Sequence, residues 1–298
     1  AKIVSWANGR PPSATVSTMA PNPAPPPRMR QSSGRRSAGG DRTRSAPMTE
    51  IAGMLRPSIL LAAWNDQAFD AKNLHDALQV LGMSSAAQSR DILIDAPDIS
   101  EDGASVPVQI TSRVPSTQSI AVFVDRNPWP HIARFEFVQG ALPFVALRLR
   151  IAETSPVRVV VRAGGSNYFA MKDVRVVAGG CDGAGAGEPD AVSGKAEPMK
   201  IRVRLEGDVA DLRALVGHPM DNGLRTNSSG KLVPEDFIRN LDIRFTGKTV
   251  VEAQIGRSVS TNPLFAFKVK GAKANDKIAL SWHDSRGVTR TDEATVGG

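Results

Sequence analysis

Apolar residues fall at helical spacing in one short stretch, where Phe69, Leu74, Leu78 and Leu81 recur between residues 66 and 82 and Gly82 stands at a helix C′ position. The spacing predicts one helix there. Beyond it the period drops to two: Ile92 and Ile94, then Val106, Val108 and Ile110, then Ile120, Val122 and Val124. Further short runs at 132–138, 145–151, 157–163 and 168–177 are each bounded by Pro, Gly, Asn, Asp or Ser. About seven strands with regular turn signals predict an antiparallel β-sandwich over residues 73–180. A second alternating series runs through Ile201-Val203-Leu205, Leu212 to Leu215, Leu241-Ile243-Phe245, Val250-Val251, Phe265-Phe267-Val269, Ile278-Leu280-Trp282 and Val288, and predicts another sandwich over 199–298. The expected fold class is all-β, with two immunoglobulin-like or fibronectin-like antiparallel β-sandwiches in tandem behind a short N-terminal helical segment.

Between the two series, residues 181–198 open with Cys-Asp-Gly-Ala-Gly-Ala-Gly and read as a Gly-rich linker, which places the domain boundary there. At the other end, residues 1–48 contain eight Pro and almost no apolar periodicity. Such a tail cannot bury enough apolar area to offset its chain entropy and is expected to be disordered. Residues 49–72 begin with a short apolar stretch interrupted by Arg56 and Pro57. It reads either as a degraded secretory signal or as an N-terminal helical segment.

Charge changes the picture less than the total suggests. Of the net +7 in 298 residues, all belongs to residues 1–48, with eight basic side chains against Asp41. The rest of the chain carries 29 basic and 29 acidic side chains, so its body has no excess charge with which to grip a phosphate backbone. Nucleic acid is excluded as the expected partner. No stretch approaches the about 18 consecutive apolar residues of a membrane-spanning helix. A single Cys excludes an internal disulfide framework and any metal site built on several thiolates.

Few residues then qualify for chemistry. Gly183-Ala184-Gly185-Ala186-Gly187 is followed by Glu188 and Pro189 rather than by an apolar helix, so it is no phosphate loop. His75, His131, His218 and His283 are scattered without helical ligand spacing, no Gly-x-Ser-x-Gly elbow occurs, and neither a metal nor a catalytic constellation is expected. Cys181 differs because two glycines precede it and a Gly/Ala linker follows, where no core encloses it. An exposed thiol supplies some thiolate at neutral pH, and thiolate is the nucleophile. Gly179 and Gly180 are expected to form a slender arm that carries Cys181 into another protein's cleft.

These residues carry a resemblance. Gly179-Gly180-Cys181 after a strand resembles the Gly-Gly-Cys-Gly-Gly end of SoxY, the sulfur-carrier subunit of the thiosulfate-oxidising Sox system. Ala96-Pro97-Asp98-Ile99-Ser100-Glu101-Asp102-Gly103, Asn127-Pro128 and Arg148-Leu149-Arg150-Ile151-Ala152 are similar to that family's blocks. His218-Pro219-Met220-Asp221-Asn222-Gly223-Leu224-Arg225, Gly230-Lys231-Leu232-Val233-Pro234 and Ser260-Thr261-Asn262-Pro263 are similar to SoxZ, its partner. The opening around Trp64 and Phe69 resembles the fused SoxYZ-like proteins associated with quinoprotein alcohol dehydrogenases.

The resemblance implies a periplasmic carrier and not an enzyme: Cys181 holds thiosulfate-derived sulfur covalently, no dissociable cofactor is needed, and Sox-type cytochrome, hydrolase and sulfur dehydrogenase enzymes are the partners. The alternative it implies is an accessory carrier or interaction protein of a quinoprotein (PQQ) dehydrogenase system, with that dehydrogenase or a cytochrome c as partner and Cys181 dispensable. Two positions depart from the family: the arm runs on into a second domain, and Asp182 puts a carboxylate beside the thiol, which disfavours the thiolate. The 18 residues from Cys181 to Pro198 still span about 20–25 Å as a Gly-rich coil, enough for a protruding loop. The second domain is expected to pack on the first through an interface apolar at its centre, with His218-Pro219-Met220 and Asn262-Pro263 fixing turns.

Overall fold

The computed structural model describes residues 64–180 and 197–297; the tail over 1–48, the first part of 49–72, and almost all of the linker, with Cys181 and Asp182, lie outside the described residues. The single helix expected over 66–82 is two short ones, α1 (Asp66–Asp70) and α2 (Leu74–Val80). Two asparagines divide it. Asn65 accepts from the Ala68 amide at 3.0 Å and Asn73 from the Asp76 amide at 2.9 Å, so each caps its own first turn. Gly82, at φ +64°, ends α2 as expected, with its amide on Gln79 O and the Met83 amide on Leu78 O, a Schellman closure.

Nine strands follow before the linker: β1 (Ala86–Gln88), β2 (Ile92–Asp95), β3 (Ile99–Asp102), β4 (Val106–Ser112), β5 (Thr117–Val124), β6 (His131–Phe137), β7 (Ala141–Leu149), β8 (Ser155–Ala163) and β9 (Ser166–Ala178). Seven come after it: β10 (Lys200–Glu206), β11 (Val209–Leu215), β12 (Ile238–Phe245), β13 (Lys248–Ile255), β14 (Leu264–Lys270), β15 (Lys277–Asp284) and β16 (Thr289–Thr295). Alternation marks strands such as β4 and β15, whereas β5 is buried on both faces from Ser119 to Val124. β1 and β3 are short and attach as parallel strands to β9.

Each half is a sandwich of four strands over three: β9-β8-β5-β6 over β7-β4-β2, and β13-β12-β15-β16 over β10-β11-β14. The tandem sandwiches do not merely abut. β6 pairs antiparallel with β13 and β7 with β14, so both sheets continue from one half into the other. This removes four exposed strand edges, each a row of unpaired backbone groups. One apolar core runs through both halves, and Phe135 of β6 meets Phe267 of β14 edge-on at 5.9 Å across the join. Its apolar centre agrees with the interface expected from sequence, while the pairing of strands across it does not follow from alternation.

Candidate functional site

The chain approaches Cys181 along β9. The end of that strand is held by β3, with Ile99 opposite Arg175, Ser100 opposite Val176 and Asp102 opposite Ala178. Beyond the strand three backbones tie together: the Gly103 amide donates to Ala178 O at 2.8 Å, the Ile151 amide to Gly103 O at 2.7 Å, and the Gly180 amide to Ile151 O at 3.0 Å. A Cβ on Gly103 would overlap the Ile151 and Ala178 carbonyls, one on Gly179 the Ala152 carbonyl, and one on Gly180 the backbone of Gly103 and Ala104. This corrects the expected role of Gly179 and Gly180. They are glycines because backbones pass too close for any side chain, and they pin the root of the arm. Any free arm begins at Cys181, which lies outside the described residues.

The root abuts the junction of the two halves. Asn127 Nδ2 donates to Arg150 O at 2.7 Å and its Oδ1 accepts from the Ala152 amide at 2.9 Å, which fixes the backbone on both sides of Ile151. The Arg150 guanidinium then crosses into the second half, where Nη1 donates to Met220 O and Nη2 to Thr261 Oγ1 at 2.7 Å. Thr261 Oγ1 donates in turn to Pro219 O at 3.0 Å. Asn262 and His218 lock the receiving loops together: the Asn262 amide donates to His218 O at 2.9 Å and the His218 amide to Asn262 Oδ1 at 3.1 Å. Met220 and Asn262 hold positive φ, of 50° and 47°. Blocks far apart in sequence thus converge beside the arm root. Sequence reasoning marked Asn127, Arg150 and Thr261 as motif members but gave them no role.

The N-terminal segment clasps the same junction from outside. Trp64 Nε1 donates to Ile255 O at 3.0 Å, its ring stacks on Phe69 at 4.8 Å, Phe69 on His131 at 4.0 Å, and His131 on Phe123 at 5.0 Å. Arg257 forks onto Glu235 at 2.6 and 3.1 Å, reaches Asp70 of α1 at 2.7 Å, and lies over the Trp129 and Phe237 rings. The resemblance quoted Trp64 and Phe69 without their function, and no local signal marks Arg257.

His131 is fully buried in this stack, and neither ring nitrogen has a hydrogen-bond partner among the described residues. Burial first, and the Arg134 charge second, push its pKa from 6.5 down to about 3. The native protein therefore holds neutral imidazole where the unfolded chain binds a proton. The stability this confers is fully present above pH 6.5 and is lost as pH falls toward 3. Urea unfolding at pH 7 and pH 5 checks it: His131→Phe, which keeps a stacked ring but cannot titrate, should escape about 2 kcal/mol of the acid destabilisation.

The fold assembles one group that sequence spacing did not show. His218 Nε2 lies 3.5 Å from Asp284 Oδ2 and 3.6 Å from Asp236 Oδ1, the one such His/carboxylate grouping among the described residues. A metal ion requires the Nε2 lone pair. Here Nδ1 accepts the Met220 amide at 3.1 Å, so the ring proton resides on Nε2 and points at the carboxylates. Burial lowers the pKa of His218 and raises that of Asp236, consistent with a proton held within the group. Asp284 Oδ1 also accepts the Arg286 and Val288 amides at 2.9 and 2.8 Å, which makes this a structural network that shapes the loop receiving Arg150.

Two family models match the chain: "Sulfur oxidation protein SoxY" over residues 77–181 and "Sulphur oxidation protein SoxZ" over residues 199–295. The solved sulfur carrier protein SoxY from Chlorobium limicola f. thiosulfatophilum is 38% identical over 38% of this chain and 100% of its own, with a TM-score of 0.33. The chain belongs to the SoxY and SoxZ families, fused in one polypeptide. The SoxY half is therefore β1 to β9 and the SoxZ half β10 to β16, and the junction just described joins them. Both family models are described as sulfur oxidation proteins, and the solved SoxY is titled a sulfur carrier protein. A β-glycosidase from Bacteroides vulgatus (8% identity over 74% of this chain and 26% of its own, TM-score 0.22) and a chicken TCR (9%, 69% and 99%, TM-score 0.20) carry no argument. Comparison with curated proteins gives no match. Among the described residues, no helix is long and apolar enough to cross a membrane.

Proposed function

We propose that this SoxYZ fusion carries thiosulfate-derived sulfur covalently on Cys181 in the periplasm and presents it to separate Sox-type enzymes. The observation that carries the reading is positional. The SoxY match runs to Cys181, the one cysteine of the chain, directly after the glycine that the fold pins to Gly103 and Ile151. A rigid root suits a carrier, because it defines where the sulfur emerges while catalytic groups reside in the partners.

Loading joins the outer sulfur of thiosulfate to the Cys181 sulfur. The thiol gives up its proton, the new S–S bond releases two electrons, and a Sox-type cytochrome accepts them. A hydrolase then adds water across the terminal sulfur–sulfonate bond, releasing sulfate and a proton and leaving Cys181 persulfide. Asp182 beside the thiol slows the first step by disfavouring thiolate.

Intact-mass analysis of protein purified from its own host without reductant tests this. The expected result is a reducible mass increase of sulfur or thiosulfate that maps to Cys181 and is absent from Cys181→Ser. Unmodified Cys181 from cells actively oxidising thiosulfate would overturn it in favour of an accessory role beside a quinoprotein dehydrogenase.

A further inference from the structure

On the outer face of the larger sheet, strand register sets three carboxylates in one row. Glu136 of β6 stands directly opposite Glu252 of β13, and Glu252 directly opposite Asp242 of β12. Like charges at directly opposed positions destabilise a sheet, yet here two such pairs are consecutive and they straddle the junction between the SoxY and SoxZ halves. With Arg134, Asn240 and Gln254 these carboxylates line a cavity of about 180 Å³. Asp242 at its base is only 6% exposed and receives no hydrogen bond from the described residues.

The charge balance is incomplete. Arg134 pairs with Glu136, and Arg244 acts on Asp242 from its own strand, which leaves one carboxylate of the three without a cation among the described residues. Across the sheet, Asp242 faces only Ser281 of β15. Burial first and the Glu252 charge second raise the Asp242 pKa to about 6, against the lowering effect of Arg244. The row is thus a desolvated, partly repulsive arrangement that an incoming cation relieves.

The geometry points to this row as a docking site for a basic side chain, lysine or arginine, of a partner protein that recognises the joined halves. A metal ion fits poorly, because no three carboxylates of the row come within common ligand distance, as His218, Asp236 and Asp284 do. Neighbouring strands lie about 4.8 Å apart, so the row is about 10 Å long, and its Asp242 end lies at the base of the recess. A carboxylate at the base of a recess is within reach of a long, thin cationic side chain that enters from another protein surface. Neither half alone supplies the row. The site does not depend on whether Cys181 carries sulfur.

The test uses the full chain and two probes: agmatine, and a capped Gly/Ser peptide containing one arginine. Carbon-detected NMR follows the Asp242 carboxyl through pH. Each probe is expected to lower its pKa by about one unit, a tenfold preference for the ionised site. Asp242→Asn with Glu252→Gln should bind both at least tenfold more weakly. That variant also controls for folding. A raised native pKa means that Asp242 contributes stability below its ordinary 3.8 that is lost as pH rises through about 6, so Asp242→Asn gains stability at neutral pH. Equal binding by wild type and variant, an unmoved pKa, binding of agmatine without the peptide, or a response to calcium alone would each overturn the proposal.

Discussion

Phe69→Ala is expected to lower the unfolding free energy by about 3–5 kcal/mol, the range for a fully buried phenylalanine truncated to alanine. Phe69 is 1% exposed. Its ring is held between Trp64 at 4.8 Å and His131 at 4.0 Å, and a Cβ on Gly256 would stand 2.8 Å from its Cδ1, so the SoxZ half offers a glycine where the ring arrives. Removing the ring leaves a cavity between α1, β6 and the loop after β13, and it takes away the support of Trp64, whose indole is hydrogen-bonded to Ile255 O. Neither strand is free to close the gap, because β6 and β13 are paired to each other. The loss corresponds to about 6–20 °C in melting temperature for a unit of this size. Denaturant unfolding followed by tryptophan fluorescence measures it. Phe69→Leu should recover more than half, and a loss below about 1 kcal/mol would mean that the N-terminal clasp is not integral to the fold.

The second large effect is expected at the arm root. A glycine to alanine change at an unstrained position ordinarily stabilises by about 0.4–1 kcal/mol, because it reduces the freedom of the unfolded chain. Gly180→Ala should do the opposite and cost about 1–3 kcal/mol, since the new methyl meets the backbone of Gly103 and Ala104, which cannot rotate away as a side chain would. The damage should be local. The amides of Gly103, Ile151 and Gly180 lose protection together, and hydrogen exchange there should quicken by about tenfold for each 1.4 kcal/mol. Gly217→Ala is the matched control: its nearest new neighbour is the Glu197 side chain at 3.5 Å, ordinary contact, so it should show the ordinary gain of about 0.4–1 kcal/mol. If Gly180→Ala behaved like Gly217→Ala, the pinned root would have no energetic standing, and presentation of Cys181 from it would lose its basis.

Much of the architecture was legible without coordinates, and the reason is periodicity. Runs such as Val106-Val108-Ile110 and Ile278-Leu280-Trp282 alternate because one sheet face is buried, so strands can be placed from pattern alone. Gly82 was legible as a helix end because positive φ favours glycine. The break at Asn73 was not, since the apolar spacing of Phe69, Leu74 and Leu78 runs through it and a capping asparagine resembles any other polar residue. Strand β3 was missed because Ile99-Ser100-Glu101-Asp102 buries no face and owes its conformation to hydrogen bonds with β9.

The candidate site divides in the same way. Cys181 and the glycines before it were visible as unusual neighbours in sequence, yet the same residues misled as to mechanism. A Gly-Gly pair reads as freedom when only composition is considered and as confinement once Ile151, Ala152 and Gly103 are seen against it. Arg150 was visible as a member of a block, but its acceptors Met220 O and Thr261 Oγ1 lie 70 and 111 residues away. No local rule connects them.

By itself the sequence determined the all-β class, most strand positions, the charge balance of the body, the place of the single cysteine and the order of the SoxY and SoxZ blocks, because each is a property of neighbours along the chain. The tertiary structure alone decided that β6 joins β13 and β7 joins β14, that Gly103, Ile151 and Gly180 tie one knot, that His218 meets Asp236 and Asp284, and that Glu136, Glu252 and Asp242 share a row. Those are matters of register between distant strands, where one residue of slip sends every side chain to the other face, and register is settled only when both sheets close on one core.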